Sequence, residues 1–331
     1  MNLPPPFVSI IVVNWNGASY IEKCIQSLLD MSYSNSEIII VDNNSSDNSV
    51  ELLRRLSSVE QKLKVIVNNK NLGFARACNI GINVSKGEFI ALFNSDAIAD
   101  KYWLSELVTA LSASQKAGAA GGPIYYCDPP NRIWFSGGKV DAITGFFWNI
   151  GQNRRNFVED DIDTLSGCAI LIRRDVLSKV GLLDEGYFLY GEDIDLSISI
   201  KRLGKSLLFV SSAISWHMVS ASKKKAPRFT YKMKVASDLR VIFKNFPLEY
   251  LHSALLFRGL VLPFGETVYF YRDPTLLLVA VKEFAKNLKD LKVTIEARRR
   301  MEQIGKATLR TRFRDIIREA AKRIKERQLY W

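Results

Sequence analysis

The sequence predicts an α/β protein: a mostly parallel sheet flanked by helices, followed by a basic, amphipathic helical region. Three observations carry this. Short apolar runs alternate with helical patterns over roughly the first 120 residues. The runs are apolar throughout instead of alternating, as strands covered on both faces are. The charge is split: residues 1–222 hold 20 Lys+Arg against 23 Asp+Glu, a net of −3, and residues 223–331 hold 26 against 11, a net of +15.

Phe7–Val13 (FVSIIVV) reads as the first strand and Ala18–Leu29 as the first helix. Glu37–Val41 and Ser49–Leu56 form the next strand and helix, and Leu63–Val67 and Ala75–Val84 the third pair. Glu88–Phe93 is the fourth strand, with a helix over Tyr102–Ser112. Residues 122–165, rich in Gly and aromatics, read as hairpins or loops over the site. Leu165–Ile172 (LSGCAILI) reads as another buried strand, and Asp184–Tyr190 as a turn into a helix that starts near Glu192. Ser206–Val210 is a late strand. From about residue 223 the pattern becomes helical and basic. No internal repeat is visible.

The 331 residues are 47% hydrophobic and 24% charged, enough to bury a large core, which excludes a disordered or fibrous chain. Cys24, Cys78, Cys127 and Cys168 lie far apart without a CxxC pair, which argues against a zinc site and for reduced thiols. No signal peptide and no spanning helix are evident in the pattern, since a span needs roughly 20 mostly apolar residues. A basic tail calls for an anionic partner, phospholipid or nucleic acid.

In a parallel sheet of this kind, ligands bind at the carboxyl ends of the strands. Four polar clusters follow the four strands: Asn14–Gly17, Asp42–Asp47, Asn68–Gly73 and Asn94–Asp96. Any one is an ordinary turn or cap taken alone, but all four fall on one rim.

Asn94–Ser95–Asp96 has the spacing of a DxD motif with Asn in the first place, and a carboxylate at a strand end can hold a divalent cation. Glu192, Asp193 and Asp195 put three acids within four residues, tolerable at a helix N-terminus. Asp193 is the candidate general base, and helix capping is the plain alternative for its neighbours. His217, after a late strand, suits a metal or diphosphate contact, and His252 receives no role. Gly204–Lys205–Ser206 resembles the end of a P-loop, but Ser199 stands where that motif needs Gly. No GxGxxG follows the first strand, and no GxSxG or HExxH occurs.

Six ordered blocks then carry a family resemblance: VSIIVVNWNGASYIEKCIQSLL, EIIIVDNNSSDNS, NLGFARACNIGI, FIALFNSDA, SGCAILIRRDVLSKVGLLDEGYFLYGEDIDLSISIKRLG and WHMVSAS. Over about residues 7–222 the chain resembles a family 2 glycosyltransferase of the GT-A fold, in its rhamnosyltransferase-like branch. The resemblance implies a GT-A-type, Rossmann-like sheet and an inverting, metal-dependent transfer of a sugar from a UDP-, GDP- or dTDP-linked donor to a hydroxyl acceptor. It implies that Val13, Asn14 and Asp42 contact the nucleotide base. Asn71, Gly73, Phe74 and Arg76 would line the nucleotide or diphosphate pocket, with Asn94, Ser95 and Glu192 among the donor contacts. Asp96 and His217 would hold Mg²⁺ or Mn²⁺, and Asp193 would be the base. Two departures stand out: Asn94 replaces the first Asp of a full DxD, and Ser199 stands where relatives often carry Arg.

The expected organisation is a nucleotide-sugar half at 1–122, an acceptor and catalytic half of the same domain at 123–225, and a helical, basic, membrane-associating tail at 226–331. Within the tail, Thr308–Trp331 places Leu309, Phe313, Ile316, Ile317, Ala320, Ala321 and Ile324 on one helical face and Arg310, Arg314, Arg318, Lys322 and Lys325 on the other. That pattern fits a helix lying in an anionic membrane interface, and a helix packed on its own domain or in a homodimer is the alternative. The expected place is the cytoplasmic membrane face, peripherally, with a lipid-linked or cell-surface glycan precursor as acceptor. Nucleic acid is not expected as a partner. The competing functions are a catalytically silent nucleotide-sugar-binding or scaffold protein and a nucleic-acid-binding protein using the basic tail.

Overall fold

In a computed structural model of the chain, the described residues are 4–155, 161–219, 227–261, 263, 273, 275–289, 291–306 and 309–312. The elements run β1 (Val8–Asn14), α1 (Ile21–Leu29), β2 (Ser36–Asp42), α2 (Ser49–Val59), β3 (Leu63–Val67), α3 (Phe74–Val84), β4 (Phe89–Asn94), β5 (Ala97–Ala99) and α4 (Trp103–Ala113). Short strands follow: β6 (Ala117–Gly121), β7 (Ile124–Tyr126), β8 (Ile133–Phe135), β9 (Gly138–Val140) and β10 (Phe147–Asn149). Then come β11 (Ala169–Arg173), α5 (Arg174–Val180), α6 (Glu192–Arg202), β12 (Ser206–Phe209) and β13 (Ser215–His217). The C-terminal part holds α7 (Pro227–Asn245), α8 (Leu248–Leu256), a π-helical turn (Phe257–Val261), α9 (Thr275–Lys289) and α10 (Leu291–Ile304).

The main sheet has seven strands in the order β12-β6-β11-β4-β1-β2-β3. β4, β1, β2 and β3 are parallel, as βαβ crossovers require. β11 alone runs antiparallel to both its neighbours, β4 and β6. The period of two splits each central strand between two cores: Ile10 and Val12 face the layer of α1 and α4, and Ile11 faces α3 and α6. α3 lies close on β1, and a Cβ at Gly81 would come within 2.6 Å of Ile11 Cγ2. α1 turns Ile21, Cys24, Ile25 and Leu28 inward, the helical spacing visible in the sequence. Four buried side chains on α7, Tyr231, Val235, Leu239 and Phe243, meet Leu276 and Ala280 of α9 in a third cluster.

Two sequence expectations change. Leu165–Ile172 is not a strand throughout: β11 begins only at Ala169, and Leu165–Cys168 is a loop. The small residues Ser166, Gly167 and Cys168 let the backbone bend before pairing starts. The helix expected from Thr308 is absent over Leu309–Arg312, which is non-helical, and residues 313–331 lie outside the described residues. There the Ala142 N–H donates to the Arg310 carbonyl at 3.1 Å, and Arg312 pairs with Asp163 at 3.1 Å. The Arg312 backbone N–H also donates to Asp141 Oδ1. Asp141 and Asp163 are buried, and a buried carboxylate needs donors or a cation; supplying them ties this stretch to the loops that carry the two acids.

Candidate active site

The carboxyl ends of β1, β2 and β4 open onto one cavity of about 720 Å³. Asn14 and Asp42 lie beneath it, fully buried, as matched ends of neighbouring strands. The Asn14 amide donates to Asp42 Oδ2 at 2.8 Å, and Ser45 donates its N–H and hydroxyl to the two Asp42 oxygens at 2.8 and 2.7 Å. Both oxygens are therefore engaged within the turn. Neither residue is in the cavity lining, whereas Val13, Trp15 and Asn16 are.

On the next turn Asn43 acts as the organiser. Its Nδ2 donates to Asn71 Oδ1 and to the Gly73 carbonyl, both at 3.1 Å, and its Oδ1 accepts from Asn68 and the Leu72 N–H. Gly73 has φ +84°, and a Cβ there would meet the Phe188 carbonyl at 2.7 Å, so the position needs glycine. The Phe74 N–H donates to that carbonyl at 2.8 Å. Asn71, Gly73 and Phe74 line the cavity; Arg76 does not, and it pairs at 3.5 Å with Glu185 on the half-exposed surface.

Asn94, Ser95 and Asp96 all line the cavity. Directly after them β5 pairs antiparallel with β13, setting His217 opposite Ala97. This pairing joins residues 121 apart: His217 Nε2 lies 3.0 Å from Asp96 Oδ1, and the pair is buried. The Trp134 ring packs edge-on against the imidazole at 4.5 Å between centroids. His217 Nδ1 is buried without a hydrogen-bond partner among the described residues. Among the described residues no group of three His, Cys, Asp or Glu side chains forms a metal cage. One carboxylate and one imidazole nevertheless make a donor set suited to Mn²⁺ or Mg²⁺ when a ligand supplies the remaining oxygens. The residues present therefore fit a divalent cation held jointly with a bound anion.

Facing them is the first turn of α6. Asp193 Oδ2 accepts from the Gly167 N–H at 3.0 Å, and Oδ1 from the Ile194 N–H at 2.8 Å. Burial raises the Asp193 carboxyl above its usual value, against the pull of those backbone N–H groups. Glu192 is buried more deeply, and its Oε2 has no hydrogen-bond partner among the described residues. Burial first, then the charge of Asp193, pushes Glu192 well above the carboxylate range. Of this adjacent pair, Asp193 has the two amide donors that favour the charged form.

Asp195 is separate. It is buried between Lys244 Nζ at 2.7 Å and the Asn245 amide at 2.6 Å, and Lys244 also reaches Asp184 at 2.9 Å. This third acid fixes α7 against α6 and takes no part in the cavity. Lining residues that sequence reasoning missed include Asn43, Tyr20, Trp134, Lys139, Trp148, Tyr190, Lys234 and Arg258. Asn43 had a signal, its place in the polar run after β2; Tyr20 and Tyr190 sit in the loops just ahead of α1 and α6, and the others enter from short strands and C-terminal helices whose placement follows from tertiary packing.

Residues 9–181 match the model of the family described as glycosyl transferase family 2. An uncharacterized glycosyltransferase of Haemophilus influenzae is 25% identical over 270 residues, covering 75% of this chain and 81% of its own length. Glycosyltransferase AglE of Haloferax volcanii is 27% identical over 214 residues, 64% of this chain and 67% of its own. Among solved structures, a Pyrobaculum calidifontis mannosyltransferase in complex with GDP-Man and Mn²⁺ superposes with a TM-score of 0.55 at 16% identity, covering 92% of this chain and 88% of that one. S. aureus TarS 1–349 in complex with UDP-GlcNAc gives 0.55 at 18% identity, with 98% and 93% covered. The fold shared with these structures is of the GT-A type.

Proposed function

The chain belongs to glycosyl transferase family 2 and is a glycosyltransferase, and from that premise we propose an inverting, metal-dependent transfer of a hexosyl or deoxyhexosyl unit from a nucleotide-sugar donor to a hydroxyl acceptor. One observation carries this reading: Asp96, His217 and Asp193, from three distant parts of the sequence, line a single cavity. The donors bound by the solved neighbours, GDP-Man and UDP-GlcNAc, support a nucleotide sugar as ligand. The NSD spelling of the metal motif keeps the rhamnosyltransferase-like branch as the closer assignment.

In this mechanism Val13, Asn71, Gly73 and Phe74 bound the nucleotide, with Asn14 and Asp42 shaping the turn beneath it. Asp96 and His217 would hold Mg²⁺ or Mn²⁺, which supplies positive charge where the leaving diphosphate gathers negative charge. Asp193 accepts the proton of the acceptor hydroxyl. The acceptor oxygen bonds to the anomeric carbon from the face opposite the nucleotide. The bond from that carbon to the phosphate oxygen breaks, its electron pair leaving on the nucleoside diphosphate, and the anomeric centre inverts. Glu192, neutral, lets Asp193 keep its charge without a second carboxylate beside it.

Thermal shift over UDP-, GDP- and dTDP-linked sugars, with and without Mn²⁺, tests the reading. One nucleotide class is expected to raise the melting temperature, and ligand at 100 times its Kd stabilises by roughly 2.7 kcal/mol. Asp96→Ala is expected to abolish the Mn²⁺-dependent part of that shift. A Mn²⁺ response unchanged in Asp96→Ala would remove Asp96 from the metal site.

For the C-terminal part the proposal is peripheral attachment at the cytoplasmic membrane face, close to a lipid-linked acceptor. Leu248, Leu256, Val261, Leu278, Val281, Val293 and Ile295 are exposed on its helices, in the third of the chain that carries the excess positive charge. No helix among the described residues is long and apolar enough to cross a membrane. Apolar and cationic surface together fit an anionic interface. The chain is expected to co-sediment with phosphatidylglycerol vesicles at low salt, less at high salt, and not with phosphatidylcholine alone. Equal absence from both pellets would defeat the attachment.

A further inference from the structure

One wall of the cavity is tied to the far C-terminal part of the chain. Two pieces build it: the β9–β10 hairpin, which supplies Phe147 and Trp148, and the segment Thr164–Gly167. The pieces join at Gly138, whose N–H and carbonyl bond the Thr164 backbone at 3.0 and 3.2 Å. Asp163, immediately ahead of the segment, is 1% exposed, and its carboxylate gathers three elements. Oδ1 accepts from Lys201 Nζ of α6 at 2.8 Å, and Oδ2 accepts from the Val140 N–H of β9 and from Arg312 Nη2, both at 3.1 Å. Two residues on, the Leu165 N–H donates to the Ser197 hydroxyl of α6 at 3.1 Å, and two further on Gly167 donates to Asp193. Every second residue from Asp163 is thus fastened, and the last of them holds the candidate base.

Arg312 reaches both pieces of this wall. Its side chain, 9% exposed, meets Asp163 across 149 residues of sequence. Its backbone N–H donates to Asp141 Oδ1, and the other oxygen of Asp141 accepts from the Thr144 N–H and hydroxyl at 2.8 and 2.7 Å, inside the hairpin turn. Lys201 already gives Asp163 a cation, so a second one is not needed to make its burial tolerable. What the guanidinium adds is direction, because its planar fork fixes where its partner sits. Arg312, Asp163 and Asp141 are all outside the cavity lining, so whatever they do for a bound substrate they do through the wall.

We propose that Arg312 is a positioning residue: through Asp163 it sets the path of Thr164–Gly167, and with it the amide that Gly167 presents to Asp193. The inference rests on reading Asp193 as the base of a transferase cleft. A small displacement of a reacting group costs rate far more than it costs substrate binding. On this account the C-terminal segment belongs to the catalytic unit and is more than a membrane attachment.

The test uses the full chain as wild type, Arg312→Gln and Arg312→Lys. Turnover is read as nucleoside diphosphate released with Mn²⁺ from UDP-glucose, UDP-GlcNAc, GDP-mannose and dTDP-rhamnose, with water as acceptor. In that reaction the water oxygen bonds to the anomeric carbon, Asp193 takes its proton, and the phosphate oxygen leaves with the electron pair. Rates are expressed per donor site titrated by calorimetry, so an unfolded fraction does not count. In Arg312→Gln, kcat should fall about tenfold or more, the size of one hydrogen bond to a charged group. The donor KM should stay at the wild-type value, and Arg312→Lys should recover most of the rate. Amide exchange of the ligand-free chain needs no turnover: peptides over 138–149 and 161–168 should exchange about tenfold faster in Arg312→Gln, and those over β1, β2 and β4 should not change. Asp163→Asn removes the same ion pair from the other side and should show the same pattern, so it reports even if Arg312→Gln misfolds. Unchanged exchange over 161–168 in the folded variants overturns the clasp. Faster exchange there with wild-type kcat overturns the positioning role. A wild type that neither binds nor cleaves any of the four donors sinks the transferase reading instead, and the exchange data then decide by themselves whether Arg312 holds the loop.

Discussion

Replacing Asp193 by Asn is expected to lower kcat/KM for sugar transfer by about 10²–10⁴-fold, the contribution of a positioned general base, while leaving the melting temperature near wild type. The amide keeps one oxygen to accept from a backbone N–H but cannot take the acceptor proton. Glu192→Gln is the informative partner. Burial and the adjacent charge push the Glu192 carboxyl up to about 8, so an amide resembles its protonated form and turnover should fall far less. The acid limb of the kcat/KM profile should lie above the usual carboxylate value near 3.9, because burial raises the Asp193 carboxyl and the base works only when ionised. Steady-state kinetics with saturating donor and varied acceptor would check all three. Wild-type turnover in Asp193→Asn would move the base elsewhere.

The second large effect concerns stability. Lys244→Met is expected to cost about 3–5 kcal/mol in urea unfolding, the range for breaking a buried ion pair by removing one partner. The Lys244 side chain is 6% exposed and bridges Asp184 at 2.9 Å and Asp195 at 2.7 Å. Asp184 keeps Arg240, and Asp195 keeps Asn245, so the chain should still fold. Burial alone would raise the Asp184 carboxyl, but the charges of Lys244 and Arg240 outweigh it and hold it at about 2. A carboxylate depressed in the folded state contributes stability that is complete above its unfolded value near 3.9 and is lost as pH falls toward 2. In Lys244→Met the acid transition should therefore begin at higher pH. An unchanged acid midpoint would show that Arg240 alone sets the Asp184 value.

The parallel half of the sheet was legible because β1, β2 and β4 are buried on both faces and the helices have buried stripes; Phe7–Val13 and Ala18–Leu29 differ from β1 and α1 by a few end residues only. The rim was legible for the same reason, since polar residues after doubly buried strands must emerge at one edge. The meeting of Asp96 with His217 was visible only through the family resemblance, because β5 and β13 are three residues each and too short to show periodicity. Leu165–Cys168 misled because small apolar residues read alike in a buried strand and in a tight loop. Leu309–Arg312 misled because its amphipathic spacing is real, but Asp141 and Asp163, far away in sequence, decide its conformation. Lys234 and Arg258 carry no local mark, since a cation on a basic helix looks solvated until a partner element covers it.

The reversed direction of β11 has one more effect. That strand starts at the rim where β4 ends, so the loop just ahead of it lies beside the first turn of α6, and there the Gly167 peptide presents the hydrogen of its amide to Asp193. The proton affinity of this carboxylate is thus tuned by main-chain polarity, which no exchange of side chains at Ser166 or Cys168 can erase so long as the loop keeps its path.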